Sequence, residues 1–103
     1  MFYYHALHHQ TLAEPPVSVI VVEGSAGPLR AVLWNTGTSS WTFSPDVVAP
    51  ILYDDRNFDR WTNVDRRRAE EIARDLGTEL PSEEELHRMC EEGETARQRR
   101  TTS

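Results

Sequence analysis

The chain has 103 residues, 38% of them apolar and 27% charged, and a net charge of −6. That length suits one domain with its own core, whereas an acidic balance argues against general affinity for nucleic acid or an anionic membrane, both of which need clustered cations. No apolar run approaches the roughly 18 residues required to span a bilayer, and the single cysteine, Cys90, cannot close an internal disulfide.

Up to Pro45 only Glu14, Glu23 and Arg30 are charged, and every other charged residue follows. The first part reads as sheet and the second as helix. Residues 2–7 have strand propensity, and 8–16 form a polar connector ending in Pro15-Pro16. Residues 17–23 are a nearly continuous Val/Ile run, the mark of a central strand covered on both faces. After a loop at 24–28, residues 29–34 alternate, with Leu29, Ala31 and Leu33 on one side and Arg30, Val32 and Trp34 on the other. A turn at 35–39 leads to a short strand at 41–43.

The expected fold class is α+β: a small antiparallel sheet of three to four strands within residues 2–43, covered on one face by two to three helices. The helices are expected at about 45–54, 63–76 and 82–92. Ser44-Pro45 starts the first, and Pro50 within it predicts a kink or a start near Ala49. Residues 54–61 read as a polar loop. Thr62 with Asp65 is a capping-box pattern for the second helix, which Gly77 stops. Ser82 with Glu85 repeats the pattern for the third, with Gly93 as its stop. Residues 1–93 are therefore expected to form a single domain, and 94–103, almost without apolar residues, a disordered tail.

No catalytic set is visible, and no cofactor is implied. His5, His8 and His9 are the metal candidates, but strand alternation places His5 and His9 on one side and His8 on the other. Asp54, Asp55 and Asp59 could hold a hard cation, yet Arg56 and Arg60 stand among them as neutralising charges. Arg66-Arg67-Arg68 fans around a helix and meets Glu70, Glu71 and Asp75 at ion-pair spacing, the pattern of a solvated face. Cys90 lies on an apolar stripe beside Met89, a setting for a buried, inert thiol.

Aromatic residues gather around the sheet-to-helix transition, where some must fill the core. Trp34, Trp41 and Trp61, with Arg56 and Arg60, are the candidate partner-binding residues, since Trp and Arg dominate interface hot spots. Three functions follow, in order. The first is a small acidic protein-interaction domain, of the inhibitor or immunity type, that binds another protein and has no catalysis of its own. The second is a homodimeric structural or regulatory module, and the third a small metal-dependent enzyme using the N-terminal histidines. Met1-Phe2-Tyr3-Tyr4-His5 lacks the basic stretch of a secretory leader, so the expected location is cytoplasmic. All eleven basic residues are arginine, which points to the codon bias of a GC-rich bacterial genome.

Overall fold

The computed structural model describes residues 1–24, 27–57 and 59–102, the last three by their backbone alone. The described residues form strands β1 (Phe2–His8), β2 (Pro16–Glu23), β3 (Arg30–Asn35), β4 (Ser40–Phe43) and β5 (Trp61–Val64). They also form helices α1 (Pro45–Tyr53), α2 (Arg66–Asp75) and α3 (Glu83–Thr102), with a 3-10 turn at Asp55–Asn57. All pairings are antiparallel, in the order β4-β3-β2-β1-β5.

Register explains how the sheet is covered. One row crosses all five strands as Val64, Tyr4, Val21, Val32 and Phe43, apolar or aromatic throughout. A helix pair is needed to bury so wide a face: α2 lies on β1 and β2, and α3 on β3 and β4. Ile72, Leu86 and Cys90 close that core at 2% exposure or less. The adjacent row, on the opposite face, reads Asn63, His5, Ile20, Leu33 and Thr42. Only its centre is aliphatic, and there the single helix α1 packs, with Val48 against Ile20, Ala31 and Leu33. Both faces therefore carry helices: the one-sided cover expected of the helices gives way to the two-sided cover that the Val/Ile run of residues 17–23 implies. The Val/Ile run of β2 supplies both, with Val19 and Val21 on the two-helix side and Ile20 on the other.

Four further expectations change. The sheet has five strands, because residues 61–64, expected as the end of a loop and the cap of a helix, pair with β1 instead. Four residues are too few to show a strand period, and partnership with β1 decides their conformation. Second, the N-cap of α2 is Asp65, whose carboxylate accepts from the Arg68 amide at 2.8 Å, so the helix begins at Arg66. Third, α1 begins at Pro45 and continues past Pro50, which lies on its exposed side. Finally, Gly93 does not stop α3. The helix runs on to Thr102, so residues 94–102 of the expected tail are helical, and Glu94 is 9% exposed. A Cβ at Gly93 would overlap the Phe43 ring of β4, so the glycine is there for close approach.

Other signals act as expected. Gly77, at φ 86°, ends α2 in a Schellman motif, with Thr78 N donating to Ala73 O and Gly77 N to Arg74 O. Ser82 Oγ accepts from the Glu85 amide at 3.1 Å and caps α3. Asn35 Oδ1 organises the β3–β4 turn by accepting from the amides of Gly37 and Thr38. The hairpin predicted at 24–28 includes Ser25 and Ala26, which lie outside the described residues. Among the described residues, no helix is long and apolar enough to cross a membrane.

Candidate functional site

A helix of nine residues is only about 13 Å long, and α1 spends that length on β3. The β1–β5 end of the same face is consequently left without a helix. A cleft of ≈ 560 Å³ opens there, lined by Tyr3, His5, Leu29, Leu52, Tyr53 and Trp61 among others, none of them charged. Strand alternation turns Tyr3 and His5 of β1 to this side, and the pairing of Leu7 with Trp61 brings the indole beside them. Tyr53 arrives from the last residue of α1.

His5 is 8% exposed and meets Trp61 edge to face, with ring centroids 5.2 Å apart. Burial pushes the His5 pKa below its ordinary value, an effect that a hydrogen bond with the Asn63 side chain partly offsets. The imidazole is therefore neutral at pH 7. Neither His5 Nδ1 nor Trp61 Nε1 has a hydrogen-bond partner among the described residues. Tyr3 and Tyr53 form the rim, 50% and 69% exposed. Its chemistry suits contact with an apolar or aromatic surface, since none of its described lining residues carries a charge.

The candidate residues from sequence separate. Trp61 is in the cleft. Trp34 and Trp41 pack together at 5.5 Å on the opposite, two-helix face, where Trp34 is 8% exposed and Trp41 Nε1 donates to Thr78 Oγ1 at 3.2 Å. They serve the core. Arg56 is paired with Asp54 at 2.8 Å, and its guanidinium holds that carboxyl down at about 2. Arg60 stitches the loop to the end of β1, donating to His9 O and Asn57 Oδ1, each at 3.0 Å.

The three histidines diverge. His5 lies under the aromatic cleft, His8 is buried on the other face with its Nδ1 bonded to Glu14 O, and His9 is exposed beyond the strand. Among the described residues, no three His, Cys, Asp or Glu side chains are grouped to hold a metal ion. Of the three aspartates proposed for a cation, Asp54 is taken up by Arg56. Burial raises the Cys90 thiol to about 11, so it is protonated and unreactive at neutral pH.

Sequence reasoning missed Tyr3, His5 as a cleft residue, Leu52 and Tyr53. Period-two alternation through Phe2-Tyr3-Tyr4-His5 already separates Tyr3 from Tyr4, but the exposure of Tyr3 depends on how short α1 is. No protein-family model matches this chain, and no curated protein or solved structure shows significant similarity to it, so its function is argued from this geometry.

Proposed function

We propose that this chain is a small acidic interaction domain of the cytosol, of the inhibitor or immunity type, that docks on a basic protein and catalyses nothing itself. The observation that carries this reading is the bare β1–β5 end of the one-helix face, where Tyr3 and Tyr53 stand 50% and 69% exposed beside the Trp61 cleft. Tyr and Trp bring large contact area with few rotatable bonds, the properties of interface anchors. Charge selects the class of partner. The net charge is −6, and Asp54 and Asp55 line a shallow hollow that shares Tyr53 with the cleft. Carboxylates around an apolar anchor speed encounter with a cationic surface and disfavour acidic competitors.

The test is affinity capture from source-cell extract at low and high salt, with wild type and Tyr53→Ala side by side. A basic protein retained by wild type, weakened by salt and lost with Tyr53→Ala supports docking through this face. Retention unaffected by Tyr53→Ala sinks it. Light scattering adds a separate outcome: a particle of twice 11.8 kDa that Tyr53→Ala dissociates would assign the face to a second copy of the chain.

A further inference from the structure

β5 is one edge of the sheet and is bonded to β1 alone. Which of its backbone groups stay unbonded follows from the ladder. His8 N donates to Arg60 O at 2.7 Å, in the register that continues through Ala6–Thr62 and Tyr4–Val64. Bonding residues alternate along an antiparallel pair. Thr62 and Val64 therefore turn their N–H and C=O groups to β1, and Trp61 and Asn63 turn theirs outward. Among the described residues no backbone group meets them there. Thr62 and Asn63 are exposed, so the edge faces solvent. Sheet edges are ordinarily guarded by charged side chains, proline or a bulge. Trp61-Thr62-Asn63-Val64 has no charge and no proline, and its register with β1 is unbroken.

Cavities adjoin this edge on both faces of the sheet. The aromatic cleft meets it at Trp61 on the one-helix face. On the two-helix face a cavity of ≈ 420 Å³ meets it at Thr62 and Val64, with Ala6 and Ile72 also in its wall. Successive side chains of a strand point to opposite faces, so a strand added here finds room on both.

Charge selects what is added. Asp59 and Asp65, both exposed, stand just before and just after β5. Asp59 makes no ion pair among the described residues, and Asp65 accepts from the Arg68 amide that it caps. The neighbouring cations are turned to the fold: Arg60 donates to His9 O and Asn57 Oδ1, and Arg66 to Tyr4 Oη and Pro81 O. A second copy of the chain fits poorly. The antiparallel register that joins Trp61 of each copy to Asn63 of the other also sets Asp59 of each opposite Asp65 of the other, and like charges directly opposite are destabilising.

We propose that β5 is a docking edge, which takes an extended segment of a basic protein as a sixth strand of the sheet. Backbone groups of the segment bond Trp61 and Asn63, apolar side chains on one of its faces lie over the aromatic cleft, and Arg or Lys at its ends meets Asp59 and Asp65. The inference rests on the partner-binding reading above and names the form in which the partner is held.

The test pans a random decapeptide display library on the full chain at low salt, then titrates the most enriched peptide into isotope-labelled protein. Enriched sequences are expected to alternate apolar and polar residues between basic ends, and saturation should slow amide exchange at Trp61 and Asn63 about tenfold. N-methylation of the peptide at residues bonded to β5 should weaken binding about tenfold, and at the intervening residues less than about twofold. Asn63→Pro removes an outward N–H that β1 does not use; it should bind the peptide about tenfold more weakly than Asn63→Ala, which keeps that donor. The proposal is overturned if no peptide is enriched, if exchange at Trp61 and Asn63 is unchanged, or if N-methylation acts equally at both sets of residues. Equal affinity of folded Asn63→Pro and Asn63→Ala overturns it too, as does a dimer that Asn63→Pro separates. A basic protein captured through Tyr53 while peptides ignore the edge would sink this proposal and spare the partner reading. Peptides held at the edge with no protein captured would do the reverse.

Discussion

The two faces of the sheet are built from the same strands yet have different fates. On the two-helix face, the row from Val64 to Phe43 is apolar across all five strands, and α2 and α3 seal it. On the one-helix face the corresponding row ends in Asn63 and His5 at one side, and α1 leaves that side open. A face that is apolar from edge to edge has to be covered and becomes the main source of stability. One that is apolar only at its centre can keep an end accessible. The same domain then folds through one side and, in the proposed reading, keeps the other for a partner.

The largest test of this division is a pair of leucines. Leu86 of α3 is fully buried against the sheet, whereas Leu52 of α1 is half-buried beside the cleft. Leu86→Ala should cost roughly 3 kcal/mol, as a well-packed core leucine does. Leu52→Ala should cost about 1 kcal/mol, because less area returns to water and the cleft can collapse. Urea denaturation measures both, and equal losses would erase the distinction. Next in size is Gly93→Ala. Its methyl group would overlap Phe43, and relieving the contact should cost about 2 kcal/mol despite alanine's better helix propensity. Combining it with Phe43→Ala should recover part of that loss relative to the two single changes added together. An unchanged or raised midpoint for Gly93→Ala would mean that the glycine has no role in packing α3 on β4.

These residues also show what could be read from the sequence. The α+β class, four of the strands and the start of α3 follow from alternation, turn residues and caps that depend on near neighbours. The features that were not legible depend on distant ones. β5 exists because β1 has a second edge to fill, and nothing within Trp61-Thr62-Asn63-Val64 announces that. Gly93 has the same local form as Gly77, yet Gly77 adopts a positive φ that ends a helix and Gly93 remains helical under an aromatic ring. Trp34 and Trp41 carry no local sign that they would face inward while Tyr3 and Tyr53 stay outside. The candidate site was legible only at Trp61, since its other walls are set by where a short helix ends.

The smallest predicted effect concerns the ionic tie on the sealed face. Glu23, whose side chain is 9% exposed, accepts from Arg30 at 2.8 Å and from His87 Nδ1 at 2.6 Å, and Glu91 also takes Arg30 at 2.9 Å. These contacts join the β2–β3 pair to α3 beside Cys90. Burial alone would raise the Glu23 pKa, but the hydrogen bonds from His87 and Arg30 outweigh it and leave the carboxyl below its ordinary 4.5. A folded-state value lower than the unfolded one means that ionised Glu23 stabilises the fold above the unfolded pKa and that this contribution is lost as pH falls through the folded value. Glu23→Gln keeps the shape and removes the charge, and should cost about 1 kcal/mol at pH 6. The gap between wild type and Glu23→Gln should narrow as pH falls below 4.5, when wild type takes up the proton that glutamine cannot. A gap that widens below pH 4.5 would reverse the sign and show that Glu23 is strained by its burial rather than held by Arg30 and His87.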